Sequence, residues 1–568
     1  MTVQSPRDGL SHVVGDVSQQ LREETVPQVL AATVAAFADR DAAIFPAQNI
    51  RWTWSQFGRE VDRLAGGLLD LGLSKGDRVG IWSPNRFEWL LTQFATARIG
   101  TILVCINPAY RLHELDYALN KVDCRALVTA LRFKTSDYAG MLADLMPELA
   151  TAEPGDLRAA KVPALRSVIA AGDGPPPAGM LGFEEVQSRG DAIQMDRLDA
   201  ISTSLDPREP INIQFTSGTT GSPKGACLTH RNIVNNAHFV TARMNLSEAD
   251  RLCIPVPFYH CFGMVMGTLG CATKGSAMVI PGEGFDPAET VRVAAQERCT
   301  ALYGVPTMFV AELGLPDLAR HDLSALRTGI MAGAPCPAQV MTEVFEKMNM
   351  TEVTIAYGMT ETSPVSFQTH VDAPFDKRVA TVGTIHPHVE CRVVDETGGT
   401  VPIGVQGELL TRGYSVMQGY WDDAARTADA IQDGWMHTGD LAVFDADGYC
   451  DITGRVKDVI IRGGENIAPR EVEEFLYTHP QVAQAQVFGI PDETLGEVVC
   501  AWIVAKDGAR IDLKEIREFC RGRIAHFKVP KHVRIKSELP MTVTGKPQKF
   551  VMREEMVEEL GGPPTVGG

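Results

Sequence analysis

Residues 216–225 read Thr216-Ser217-Gly218-Thr219-Thr220-Gly221-Ser222-Pro223-Lys224-Gly225, between an apolar run at 211–215 and a second strand-like run, Ala226-Cys227-Leu228. Glycines and small hydroxyls let backbone amides close on an anion, and Lys224 adds a point charge. The pattern predicts a phosphate-binding loop between two strands. It is not the Walker A form: Pro223 precedes the lysine, no Ser or Thr follows it, and no helix begins at once.

Working outward, three more short β-like runs end in turns that carry glycine. Residues 300–303 lead into Gly304-Val305-Pro306-Thr307, and residues 326–331 lead into Ala332-Gly333-Ala334-Pro335. Residues 353–356 lead into Tyr357-Gly358-Met359-Thr360-Glu361. In open parallel sheets ligands sit beyond the carboxyl ends of the strands. Such turns leave room for a flat base and an acyl chain; Tyr357 could stack on the base and Glu361 could bind Mg²⁺.

The rest of the chain up to about residue 360 alternates in the same way. Phe57, Val61, Leu64, Leu68 and Leu71 recur at helical spacing, strands are expected at 77–82 and 101–106, and a helix through 90–99. Strands alternating with helices predict parallel sheets covered on both faces. Residues 151–205, rich in Pro, Gly and Asp, read as a surface excursion rather than core. From about 380 short glycine-punctuated β segments predict a small β-rich module. From 457 a smaller α+β alternation follows, with helices at 470–477 and 512–524 and strands at 482–489 and 497–505. The expected class is α/β: a large N-terminal domain of layered α/β sheets with a β-rich, barrel-like subdomain, and a small mobile α+β C-terminal domain. The boundaries expected are an extension at 1–24, the large domain at 25–456, the small one at 457–560 and a flexible tail at 561–568.

Composition excludes several functions. Lys plus Arg total 53 against 71 Asp plus Glu, a net charge of −18, so general nucleic-acid binding is disfavoured and any anionic ligand must be held locally. Twelve cysteines with no C-x-x-C pair argue against a zinc or dithiol motif and for a reducing compartment. Residues 1–20 carry Arg7, Asp8 and Asp16 without an apolar core, and no run of eighteen apolar residues occurs anywhere. A cytoplasmic protein is expected.

The loop at 216–225, the Tyr357-Gly358-Met359-Thr360-Glu361 run, Thr438-Gly439-Asp440, Gly454-Arg455 and Gly545-Lys546 occur in the order found in the adenylate-forming superfamily. The chain resembles that superfamily over roughly residues 25–555, most closely its acyl-CoA synthetases. The resemblance implies activation of a carboxylic acid with ATP and Mg²⁺ to acyl-AMP and pyrophosphate, then transfer of the acyl group to CoA. It implies that Thr216, Ser217, Gly218, Thr219, Thr220, Gly221 and Lys224 hold the outer phosphates. Gly333, Ala334, Pro335, Tyr357, Gly358 and Met359 would surround the adenine, Thr360 would touch the α-phosphate, and Glu361 would bind the metal. Asp440 and Arg455 would take the ribose, and Lys546 would be the catalytic lysine. His260, in Pro257-Phe258-Tyr259-His260-Cys261-Phe262-Gly263, would gate the acid and thiol channel. Gly463 and Gly464 would face that channel after the small domain turns about Lys457, with Lys528 and Lys531 near the CoA phosphates. The apolar Met264-Val265-Met266 run favours a medium- to long-chain fatty acid; an aromatic acid, or an acyl carrier protein in place of CoA, is the alternative. A transient membrane contact and a homodimer stay open.

Overall fold

A computed structural model of the chain describes residues 6–216, 223–334, 336–463, 465–492, 494–506, 508–521, 523–542 and 545–560. Two large sheets face each other across a layer of helices. The first runs, in order, Leu181–Gly182, Ser167–Ala171, Cys124–Ala130, Arg78–Trp82, Ile102–Cys105, Pro210–Thr216, Lys224–Thr229 and Gly419–Tyr420. It is parallel as far as Pro210–Thr216, and the last two strands are antiparallel. The second has nine strands, with Asp41–Phe45, Ala277–Val279, Arg251–Cys253, Ala301–Gly304, Thr328–Ala332 and Glu352–Gly358 parallel and neighbouring.

The helix anticipated from the 57–71 spacing is Trp54–Asp70, and it buries Phe57, Val61, Leu64 and Leu68. It lies between the sheets with Phe87–Arg98, ten of whose twelve residues are buried, and His230–Arg243. An enclosed helix must satisfy its polar groups internally, and here Thr92 and Thr96 bond back to helix carbonyls while Glu88 pairs with Arg86.

The 151–205 segment corrects the sequence reading. Its strand Ser167–Ala171 is buried at every position and pairs in parallel with Cys124–Ala130, so the excursion enters the sheet. Within the first twenty-four residues, His12–Val14 is likewise a strand, antiparallel to Val389–Val394. It joins a six-stranded, antiparallel β-rich sheet with Gly407–Gly413, Trp435–Phe444, Ile431–Gln432 and Cys450–Arg455.

After Val456–Asp458 the chain builds a separate five-stranded sheet. Helices Pro469–Tyr477 and Leu513–Cys520 cover one face through Val472, Leu476 and Ile516. Lys549–Glu559 covers the other through Met552 and Met556. The second of these helices begins at its Asp512 cap as expected but stops at Cys520, short of 524.

Candidate active site

Strand Glu352–Gly358 delivers the first cluster. A Cβ on Gly358 would stand 1.7 Å from the Pro364 carbonyl oxygen, so only glycine lets the chain double back there. The Met359 amide donates to that same oxygen at 3.0 Å, which fixes the short turn Thr360–Thr362. Thr360 and Glu361 are both buried. Glu361 Oε1 accepts from the Tyr420 hydroxyl at 2.9 Å and from Thr216 Oγ1 at 3.3 Å. Lys224 Nζ lies 5.1 Å from the Tyr420 ring centroid. Thr216 directly, and Lys224 through the Tyr420 ring, thus tie both ends of the candidate phosphate loop to the carboxylate.

Asp440 forms a second cluster. It accepts from the Tyr357 hydroxyl at 2.6 Å and from Arg455 Nε at 2.9 Å. Burial and the Asp440 charge push the Tyr357 phenol well above its usual range. Asp440 follows Gly439, at φ +68°, where the pairing register shifts. Glu408 pins that irregularity, accepting from the Gly439 amide at 3.2 Å and pairing with His437 Nδ1 at 3.0 Å.

Lys546 arrives from the other lobe. Its amide donates to Thr542 Oγ1 at 2.9 Å, Thr307 Oγ1 donates to the Gly545 carbonyl at 3.5 Å, and a Cβ on Gly333 would lie 3.5 Å from Lys546 Cε. Gly333, at φ +89°, thus lies in van der Waals range of the lysine stem. Burial lowers the Lys546 pKa, Arg455 lowers it further, and Asp440 and Glu361 draw it back up. The ammonium thus feels both clusters at once.

His260 belongs to the same neighbourhood. Its pKa is pushed down to about 3, chiefly by burial and then by the Lys546 charge, so the ring is neutral at ordinary pH. Its Nδ1 accepts from the Phe262 amide at 3.2 Å. The next residue's thiol, Cys261 Sγ, donates to Gln214 Oε1 at 3.1 Å and bonds the Thr360 side chain. A wholly buried π-helix, Phe262–Leu269, follows; such helices recur at functional sites. A cleft of about 580 Å³ opens between the lobes, lined by Pro257, Tyr259, Thr307 and Met308 on one side and Leu539, Met541 and Gly545 on the other.

This meeting of two lobes over one lysine coincides with the extent of known domains. A family model described as AMP-binding enzyme matches residues 30–421, and one described as AMP-binding enzyme C-terminal domain matches residues 471–546. The chain belongs to the AMP-binding enzyme family. Among curated relatives, a putative acyl-CoA synthetase, YngI, of Bacillus subtilis is 48% identical over 95% of this chain and 98% of its own. The mitochondrial medium-chain acyl-CoA ligase ACSF2 of Danio rerio is 46% identical over 97% and 91%. Among solved structures, the anthranilate CoA ligase AuaEII in complex with anthranoyl-AMP superposes with a TM-score of 0.83 at 25% identity, covering 95% of this chain and 98% of that one. ATP-bound MatB from Rhodopseudomonas palustris gives 0.81 at 29%, covering 94% and 99%.

In this AMP-binding enzyme the contacts link Thr216 and, through the Tyr420 ring, Lys224 to Glu361; Tyr357 and Arg455 to Asp440; and Lys546 to Gly333, His260, Arg455, Asp440 and Glu361, while Gly358, Met359 and Thr360 form the turn that carries Glu361. Ala334 adjoins Gly333 in the same turn, and its carbonyl accepts from Cys336 Sγ at 3.5 Å. Ser217, Gly218, Thr219, Thr220, Gly221, Pro335 and Gly464 lie outside the described residues. Gly463 is not brought to the cluster: it is exposed, at φ +58°, in the turn between Ile460–Arg462 and Glu465–Ile467, with its amide bonded to the Leu495 carbonyl at 2.7 Å. Lys528 and Lys531 are paired with Glu471 and Asp492 of their own lobe. Tyr420 and Glu408 are the residues at these clusters that sequence reasoning missed; Gly419-Tyr420 neighbours Lys224–Thr229 only in the folded sheet and carried no chemical pattern of its own. Among the described residues no cluster of three His, Cys, Asp or Glu side chains could hold a metal, and no helix is long and apolar enough to cross a membrane.

Proposed function

We propose that this protein is a fatty-acid–CoA ligase that joins a medium- to long-chain acid to CoA through an acyl-adenylate. The observation that carries this reading is the seat of Lys546, a small-lobe cation within electrostatic reach of Glu361 and Asp440 and beside the neutral His260. Two anions, a carboxylate and the α-phosphate of ATP, must approach each other, and a buried cation between them offsets the repulsion as charge builds. The names of the relatives, acyl-CoA synthetase and medium-chain acyl-CoA ligase, support the same chemistry.

In the first step a carboxylate oxygen attacks the α-phosphorus, and the bond to the bridging oxygen of pyrophosphate breaks. Lys546 stabilises the crowded phosphorus, Thr360 orients the α-phosphate, and Asp440 with Arg455 holds the ribose. The phosphate loop, from Thr216 to Lys224, takes the leaving pyrophosphate. In the second step the CoA sulfur attacks the acyl carbon and the bond to AMP breaks; the neutral ring of His260 stands where the thiol would pass. Residues Gly463 and Gly464 line that path once the small lobe has turned.

A single carboxylate suits Mg²⁺, which keeps most of its ligands as water and phosphate oxygens. Both hydrogen bonds that described residues give the Glu361 carboxylate fall on Oε1, which fits such a role. When bound, the ion would neutralise the phosphates. The buried Phe262–Leu269 helix holds no ionisable side chain, and its Met264 and Met266 favour an alkyl chain over an amino acid. Twelve unpaired cysteines fit a cytoplasmic location. The test is an order-of-addition experiment. With octanoate, ATP and Mg²⁺ alone, pyrophosphate and bound octanoyl-AMP should form in equal amounts, and added CoA should convert the adenylate to thioester and AMP. Release of ADP and phosphate instead would overturn the reading.

A further inference from the structure

Among the described residues, two separate places where the lobes touch stand out. One is the seat of Lys546, where Gly545 lies against Val305 and Thr307. The other is on strand Cys450–Arg455, just before the segment Val456–Asp458 that leads into the small lobe. There Arg470, in the first turn of helix Pro469–Tyr477, donates from Nη1 to Asp451 Oδ1 at 2.9 Å and also to the Ile452 carbonyl. Its Nε is held from its own helix by Glu474 Oε1 at 2.7 Å. The Arg470 side chain is 19% exposed, well shielded for a lobe boundary.

Three features make this contact orientation-specific. The guanidinium is planar, its Nη1 carries both bonds to the other lobe and its Nε is tied to Glu474, so it meets the carboxylate and the carbonyl together over a narrow range of orientations. The Ile452 carbonyl cannot follow a moving partner, because its strand is paired to Trp435–Phe444 with Ile452 opposite Ala442. Finally, Asp451 and Ile452 precede the 456–458 segment while Arg470 follows it, so a turn of the small lobe about that segment parts them. We propose that Arg470 is a positioning residue: gripping Asp451 and the Ile452 carbonyl, it holds the small lobe in the orientation that keeps Lys546 at the active site, and so sets the balance between adenylation and thioester formation. This inference rests on the two-step reading above and adds to it the contact that biases the two poses. A contact made in one state alone shifts the equilibrium by its differential free energy.

The experiment compares wild type with Arg470→Ala and Arg470→Lys in the full chain. Two half-reactions are measured separately: pyrophosphate release without CoA, and thioester formation from supplied octanoyl-AMP and CoA. Tryptic cleavage after Lys457 and Arg462 reports the exposure of the hinge independently of any chemistry. Arg470→Ala should lower the ratio of adenylation to thioester rate by about tenfold, with faster hinge cleavage, and Arg470→Lys should recover only part of both. Equal changes in the two half-reactions, or none, with unaltered cleavage would overturn the proposal. If Arg470→Ala does not fold, Asp451→Asn is read in the same two assays with the same expectations. A wild type inactive on every acid would refute the two-step reading alone; the cleavage rates would then decide the grip of Arg470, faster supporting it and unchanged overturning it.

Discussion

At the residue scale the proposed chemistry converges on Lys546, where burial and the Arg455 charge work against the proton while Asp440 and Glu361 favour it. Lys546→Ala should cost adenylation about 2–4 kcal/mol of transition-state stabilisation and spare thioester formation from supplied acyl-AMP; single-turnover assays of each step check this. Four histidines set a stability prediction of their own. His230 and His260 are pushed down to about 3, and His238 and His370 to about 4, each mainly by burial. Unfolding releases them to an ordinary value near 6.5, so between there and about 4 the unfolded chain binds more protons. Their contribution is whole above pH 6.5 and is lost as pH falls toward 4, so the melting temperature should drop from pH 7 to pH 5, read by calorimetry. A flat profile would contradict it. Lys546, Asp440 and Glu361 are legible in the sequence because each sits in a short run with unusual neighbours. Tyr420 and Glu408 are not, since they act across 59 and 31 residues on the Glu361 side chain and the Gly439 amide, and only folding creates those contacts.

Elements explain the other successes and failures. The spacing Phe57, Val61, Leu64, Leu68 exposes the helix Trp54–Asp70 at once, because one face is apolar and the other charged. Helix His230–Arg243 hides from the same reading, since its buried positions include His230, Asn232, Asn235 and Asn236, whose amides bond backbone such as the Val365 carbonyl. Ser167–Ala171 hides for a different reason. Five small or β-branched residues buried on both faces show no alternation, and the Pro-rich text around them resembles a loop. Turns are the more exacting elements. Gly358→Ala should destabilise the fold by about 1–3 kcal/mol, seen in urea denaturation, and displace Thr360 and Glu361 enough to depress adenylation, because the new Cβ meets the Pro364 carbonyl head-on. Gly464→Leu should leave pyrophosphate release near normal and block transfer to CoA. Loss of both half-reactions would remove Gly464 from the thiol path.

Across the whole molecule, a chain of net charge −18 must handle ATP, pyrophosphate and CoA with cations placed one at a time. On the proposed reading they are divided between the lobes: Lys224, beside Tyr420 and Glu361 in the large lobe, would meet the outer phosphates, and Lys546 would come from the small lobe. Two layered sheets and their enclosed helices supply a fixed floor, while the five-stranded lobe meets it at Gly545 and at Arg470. The alternation of strands and helices announces that floor in the sequence. The pairing of the lobes is not announced, because Asp451 and Arg470 are ordinary surface charges until the fold apposes them. The central claim, ligation of a fatty acid to CoA, is tested most directly by ATP- and Mg²⁺-dependent pyrophosphate release over acids from acetate to palmitate, with benzoate, each with and without CoA. Turnover that is stimulated by CoA and peaks on a medium or long alkyl chain is the predicted result; release indifferent to CoA, or a peak on benzoate, would contradict it.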